Sequence, residues 1–363
     1  MPRSRKSKKL HAATLADVGR EAGVSAMAAS AVLNGAHTSS RFSEGTRARI
    51  IEAAQKLQYR PNAAARALVH RRMNSIGIVG VIEEDELNHY FLAVFNGILA
   101  EANHRRQNTA VFSLLNWAED AARLHSFCDG RIDGMVLIAP TIDSTVAKQL
   151  PTHTPFVSIH SNAPIPGVVN IESDEEHGAF AMVEALIARG HRRIMHIAGP
   201  EGYIGADRRV TGYKAALKKH DLRFESRLLM HTPFNTLHGR ESMSAWLRQH
   251  AGEALPHAVF CANDMIALGV MEALADVGLQ VPHDVSVAGF DDTLAARTTS
   301  PQLASVRQPL VEMGRLAADT LLARIESHGA PPRSPIVLPV EVVMRGSVAD
   351  RPAEDRLAPA ILP

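Results

Sequence analysis

Only two cysteines occur in the 363 residues, Cys128 and Cys261, far apart and outside any CxxC or Cys/His spacing. Neither a disulfide scaffold nor a structural zinc site is expected, and both thiols read as small core residues. No run approaches the roughly 20 apolar residues of a membrane span. The basic start MPRSRKSKKLHAATL has no apolar stretch behind it, so a soluble, cytoplasmic protein without a membrane partner is expected. Motifs of common catalysis are missing as well: there is no GxSxG elbow, no HExxH, no phosphate-cradling GxxxxGK(S/T) and no GxGxxG after a strand. The 18 histidines are scattered without metal-ligand spacing. They read as surface or core residues, and the chain is expected to be no enzyme and to hold no metal and no cofactor.

What is present divides by charge. The net charge of +1 hides 14 Lys/Arg against 4 Asp/Glu in residues 1–72, and 25 against 34 in the remainder, or +10 and −9. Such an asymmetry is expected when a small module meets phosphates and a larger body does not. The length, with 46% hydrophobic and 21% charged residues, suits two or three packed domains. Arg3, Arg5, Lys6, Lys8 and Lys9 make residues 1–13 a basic arm, either ordered by a polyanion or merely solubilising.

The stretch TLADVGREAGVSAMAASAVLN, residues 14–34, reads as two short helices around a tight turn. Thr14 with Asp17 forms a capping box, Leu15, Val18 and Ala22 share a face, and Gly23 breaks the helix. Ser25 caps a second helix with Ala29, Val32 and Leu33 on one side, ended by Asn34-Gly35. This is a helix-turn-helix whose second helix can read a DNA groove; a helical hairpin in an ordinary bundle is the plain alternative. A loop follows, then a third helix from Ser43 with Ile50, Ala54 and Leu57 as its stripe, closing a headpiece over 14–60. Residues 61–74 read as a linker, with a short helix from Ala63 to Val69 capped by Asn62 and marginal on its own.

From Ser75 short β-branched runs alternate with helical patterns: SIGIVGVI, TAVFSLL and GMVLIA, then RIMHIAG, AVFCAND and VSVAGFDD. Buried strands alternating with amphipathic helices imply parallel sheets with right-handed crossovers, and the rhythm occurs twice. Two α/β units side by side are expected over 75–348. The first takes 75–171 and 301–330, the second 172–300 and 331–348, and the proline-rich 349–363 forms a loose tail.

At this point the residues resemble the lactose/galactose repressor (LacI/GalR) family of bacterial transcription regulators over nearly all of residues 14–348. The markers are TLADVGREAGVS, VLNG, YRPNAAARAL, GHRRIMHIAGP, RRVTGYKAAL, VFCANDMIALGVMEAL, QVPHDVSVAGFDD and VVMRGS, in that order. The resemblance implies an all-α helix-turn-helix headpiece, a hinge helix and an α/β core of two lobes. That core is like the periplasmic sugar-binding proteins, with two parallel-sheet Rossmann-like subdomains. It also implies a homodimer on double-stranded operator DNA.

By this match the DNA-facing residues are Thr14, Leu15, Ser25, Ala26, Met27, Ala28, Ser30, Ala31 and Asn34. The chain departs from the usual VSxxTVSRVLN, because Ala28 stands where Thr is common and Ala31 where Arg is. A bidentate donor to guanine, worth roughly 1–3 kcal/mol of discrimination, is thereby lost, while Ala and Met can still pack on thymine methyls. His37 and Arg41, in a longer loop than usual, are expected to take over part of the reading. Asn62, Ala65 and Leu68 belong to the hinge, with Leu68 as a minor-groove wedge.

Each unit carries loops at the carboxyl ends of its strands, where open α/β sheets bind ligands. The resemblance makes Asp174, Arg209, Asn263 and Asp291 the polar clamps of a small-molecule effector, most simply a sugar or sugar derivative, because carboxylates accept from hydroxyls while Arg and Asn donate. Phe234 fits a stacking platform, and Asn88, Tyr90 and Phe91 lie after the first strand. Asp264 reads as a helix cap and the acidic run Glu83–Glu86 as a solvated loop. Two other readings share the core: a periplasmic sugar-binding protein, against which the basic headpiece argues, and a carbohydrate-processing enzyme with Asp174 and Asp291 as its carboxylate pair.

Overall fold

The computed structural model describes residues 12–33, 42–60, 72–81, 88–327 and 334–351. The chain divides into two units between Met73 and Asn74. The expected contacts at Asn34, His37, Arg41, Asn62, Ala65 and Leu68, the basic arm, the Ala63–Val69 helix and the Glu83–Glu86 run lie outside the described residues.

In the first unit, α1 (Leu15–Ala22) starts on a capping box in which Thr14 and Asp17 serve each other's backbone amides. The hydrogen bonds from Thr14, with Arg20 nearby, hold the Asp17 carboxyl below the usual carboxylate range. Gly23, at φ 68°, ends the helix in a left-handed turn that a β-carbon disfavours. Gly19 is where α1 meets that turn: a β-carbon there would lie 2.8 Å from the Val24 carbonyl oxygen. Ser25 Oγ then accepts from the Ala28 amide at 3.1 Å to open α2 (Ala26–Leu33). Ser43 caps α3 (Glu44–Lys56). Val18, Ala22, Ala29, Ile50, Ala53 and Ala54 form the buried centre, and Leu15, Val32, Leu33 and Leu57 pack around it.

The second unit holds two six-stranded sheets. The first lobe is formed by β1 (Ser75–Val81), β2 (Asn108–Leu114), β3 (Gly134–Ile138), β4 (Phe156–Ile159), β5 (Val169–Ser173) and β11 (Ile336–Leu338), all parallel, in the order β11-β5-β4-β3-β1-β2. The second is formed by β6 (Ile194–Ala198), β7 (Leu229–His231), β8 (Ala258–Cys261), β9 (Ser286–Asp291), β10 (Ala304–Arg307) and β12 (Glu341–Val343), in the order β12-β10-β9-β8-β6-β7. Here β12 alone runs antiparallel to its neighbour. Central strands such as GMVLI and SVAGFD are buried along their whole length, as sheets covered by helices on both faces require.

Helix pairs cover these faces at close range. In the first lobe α4 (His89–His104) meets the helix Leu310–Ser327 through Gly97 and Gly314. A β-carbon on either would fall 2.0–2.1 Å from a carbonyl oxygen of the other helix.

Two assignments of the sequence reading are corrected by the pairing. The strand at Ser305-Val306 belongs to the second lobe, between β9 and β12, not to the first; Ile336–Leu338 belongs to the first lobe, beside β5, not to the second. The first sheet also runs to Ser173, past the expected limit at 171. Among the described residues the chain therefore crosses between lobes three times: after Ser173, around Gln308-Pro309, and between Leu338 and Glu341. A three-residue apolar strand carries no mark of which sheet edge it will join, so its pattern could not decide this.

Candidate functional site

A cavity of about 180 Å³ lies between the lobes at the carboxyl ends of the strands. The first lobe contributes Asn88, Tyr90, Phe91, Trp117, Thr141, His160 and Asn162, and the second Tyr203, Arg209, Phe234, Asn263 and Asp291. Three of its non-glycine residues hold left-handed backbone, Ala139 at φ 47°, His160 at 49° and Asp291 at 110°. Each follows or ends a strand. Backbone of this kind costs free energy and collects where side chains must be aimed at a ligand.

Arg209 is carried on the helix Ile204–Lys219 and is only 6% exposed. One Nη donates to the Ala262 carbonyl at 2.5 Å and the other to Glu175 Oε1 at 2.8 Å, while the guanidinium carbon lies over the Phe290 ring, 4.1 Å from its centroid. Its Nε has no hydrogen-bond partner among the described residues. Asp291 ends β9, 5% exposed, and its Oδ1 accepts from Gln308 Nε2 at 2.5 Å. Burial pushes this carboxyl above the usual carboxylate range, although Arg209 pulls the other way.

Asn263 caps the helix Asp264–Asp276, its oxygen accepting from the Ile266 amide and its Nδ2 donating to the Phe234 carbonyl at 3.3 Å. Asn88 caps α4 in the same way. Two rings are pressed onto glycines at the carboxyl ends of the first strands of their lobes, Gly80 within β1 and Gly199 just after β6. A β-carbon on Gly80 would meet the Phe91 ring at 1.9 Å, and one on Gly199 the Phe234 ring at 2.2 Å.

Seven of the eight expected effector residues thus line one cavity. Asp174 does not: it is exposed, caps the helix Glu175–Ala188 and accepts from the His177 amide. Its place after the crossing at Ser173 turns it to the helix end. With Asp174 away from the cavity, the carboxylate pair of the enzyme reading is not assembled. Asp264 is not the cap of its helix either. It is fully buried, and its two oxygens accept from Thr293 N, Thr293 Oγ1 and Ser305 Oγ. The sequence reading passed over Trp117, Thr141, His160, Asn162 and Tyr203. All but Tyr203 stand within a few residues of a strand's carboxyl end, and reading every such loop would have found them.

On the headpiece, Ser25, Ala26 and Met27 are exposed, Met27 at 81%, and Ala28, Ser30 and Ala31 are partly exposed along α2. Leu15 packs on the headpiece core and Thr14 is spent on its cap.

Comparison with known proteins joins these two units. The sequence profile for bacterial regulatory proteins of the lacI family matches residues 14–62, and that for a periplasmic binding protein-like domain matches 183–348. Catabolite control protein A of Priestia megaterium is 31% identical over 340 residues, covering 92% of this chain and 98% of that protein. The PurR transcriptional repressor of Glaesserella parasuis serovar 5 is 32% identical over 352 residues, covering 93% and 98%.

The chain belongs to the LacI family. Among solved structures, the Lac repressor dimer bound to operator and the anti-inducer ONPF superposes with a TM-score of 0.79 at 26% identity, covering 93% of this chain and all of that one. The regulator CelR in complex with cellobiose gives 0.68 at 27%, covering 92% and 99%. This LacI-family chain is a DNA-binding transcriptional regulator, and the family it joins is one of repressors rather than enzymes. Among the described residues no helix is long and apolar enough to cross a membrane.

Proposed function

We propose that this LacI-family regulator is a cytoplasmic homodimeric repressor of a pseudo-palindromic operator, controlled by a neutral single-ring sugar or sugar derivative held in the inter-lobe cavity. The observation that carries the reading is the cavity's lining. It draws hydrogen-bonding side chains and aromatic rings from both lobes, so one small occupant bridges them. Its size is close to the ~150 Å³ that takes one benzene ring, which favours one ring over two. Hydroxyls suit Asn88, Asn263, Asp291 and the Arg209 Nε, and the apolar face of a sugar suits Phe91, Trp117 and Phe234. Among the described residues the one arginine of the lining, Arg209, is already paired with Glu175, which disfavours an anionic effector.

A ligand that prefers one lobe arrangement shifts the population toward it, and the headpieces follow. Coupling of about 1–3 kcal/mol moves operator affinity roughly 5- to 150-fold. On the DNA side, Ser25, Ala26, Met27, Ala28, Ser30 and Ala31 face the major groove, with Met27 packing on thymine methyls. A panel of neutral D-hexoses and D-pentoses tests the reading by thermal shift and by fluorescence anisotropy on operator DNA. One member should raise the melting temperature and change operator affinity within that range; a panel in which none does either contradicts it.

A further inference from the structure

Across the cavity, Tyr90 on the first lobe and Asp291 on the second are joined by a hydrogen-bonded chain that runs through the protein behind them. Tyr90 Oη lies 2.7 Å from His160 Nδ1, and His160 Nε2 accepts from the Ser173 backbone amide at 3.2 Å and lies equally close to the Ser173 hydroxyl. The Ser173 hydroxyl donates to Gln308 Oε1, and Gln308 Nε2 donates to Asp291 Oδ1 at 2.5 Å. Ser173 and Gln308 sit at two of the three places where the chain crosses between lobes.

The backbone amide biases the direction of this chain at its first link. An N–H can only donate, so the Ser173 amide aimed at Nε2 favours a bare His160 Nε2 with the ring hydrogen on Nδ1 over the alternative in which Nε2–H donates to the Ser173 hydroxyl. Burial also draws the imidazole down to about 4, so the ring is neutral at pH 7. With Nδ1–H donating to Tyr90 Oη, the phenol's own hydrogen is turned away from His160, on a side chain that lines the cavity.

We propose that His160 is a positioning residue that makes Tyr90 an obligate hydrogen-bond donor to the effector, so that the effector is selected for an acceptor atom, a ring or hydroxyl oxygen, at that edge. This rests on the sugar-effector reading for the ligand's identity, but the tautomer that it requires is a property of the protein alone.

The test is therefore made first without ligand. In full-length protein labelled with ¹⁵N-histidine, a long-range ¹H–¹⁵N correlation at pH 7 reports which nitrogen of His160 is protonated, the resonance being assigned by its loss in H160N. Hydrogen on Nδ1 with a bare Nε2 is expected; hydrogen on Nε2, or on both, overturns the proposal. Calorimetry is then run with each neutral D-hexose and D-pentose that binds. Y90F and H160A should each weaken binding about tenfold, and H160N, whose amide can replace the Nδ1 donor, should restore it to within about threefold. H160A binding like the parent protein, or H160N no better than H160A, overturns the proposal. If none of the sugars binds, the sugar reading fails while the tautomer still decides this one.

Discussion

Arg209 stands over Phe290, its guanidinium carbon 4.1 Å from the ring centroid, while one Nη bonds Glu175 at 2.8 Å. A planar cation held this way is not replaceable by lysine. Removing it leaves the Glu175 carboxylate, itself 3% exposed, with a much weaker set of partners. Arg209→Met is expected to lower core stability by about 3–5 kcal/mol, and the double change with Glu175→Met to recover most of it. Urea unfolding followed by tryptophan fluorescence checks this, since Trp117 reports from the first lobe and Trp246 from the second. Equal loss in the single and double variants would show that the pair is not what holds Arg209.

The Phe234 ring occupies the space that a side chain on Gly199 would need. Gly199→Ala is expected to displace the ring, at about 1–3 kcal/mol of stability, and to weaken binding of any sugar effector at least about tenfold. Calorimetry beside thermal unfolding separates the two effects. Unchanged affinity in a destabilised protein would mean that Phe234 is packing only.

Asp291 and Asp264 are both pushed above the usual carboxylate range, desolvation being the largest cause for each. A carboxyl raised in the folded state contributes stability at low pH that is lost as pH rises through the folded value. Asp291→Asn should therefore gain stability relative to the parent protein at pH 8 and gain less, or nothing, at pH 5, while weakening the effector response. The buried histidines act oppositely. His191 and His196, drawn down to about 4 and about 3, cost stability as pH falls below their unfolded value of 6.5. Urea midpoints at pH 5 and pH 8 measure both slopes; an Asp291→Asn variant no more stable than its parent at pH 8 would contradict the account.

Much of this architecture is legible in the order of residues because local rules agree with the fold. Thr14 with Asp17, Gly23 and Ser25 mark helix ends through short-range hydrogen bonds and backbone preference, and the apolar runs at 134–138 and 286–291 mark central strands through burial on both faces. What could not be read depends on the distant chain. The lobe to which Ser305-Val306 or Ile336–Leu338 belongs is set by pairing with other strands, over a hundred residues away for Ile336–Leu338. His160 offers no pattern of its own either: its role comes from a left-handed backbone at the end of β4 and from a partner amide at Ser173. Asp174 misled because an Asp before a helix serves a cap and a ligand equally well.

Met27 is 81% exposed near the start of α2, AMAASAVL, among the small side chains Ala26, Ala28, Ser30 and Ala31. Met27→Ala should weaken binding to operator DNA with little change in headpiece stability, and should leave both random-sequence affinity and the salt slope as they were, because it touches bases rather than phosphates. Competition anisotropy against random duplex distinguishes the two. Equal weakening on both duplexes would remove Met27 from base reading.

The central claim is that the basic headpiece grips duplex DNA and that the inter-lobe cavity sets how firmly. The direct measurement is a salt titration of operator binding by the full-length protein, beside a variant lacking residues 1–72, with and without the sugar that stabilises the core. Affinity should fall linearly with the logarithm of salt concentration and vanish with the deletion. It should also shift roughly 5- to 150-fold with the sugar, in a single direction. Binding that survives the deletion, or an affinity that no ligand of the cavity alters, would contradict it.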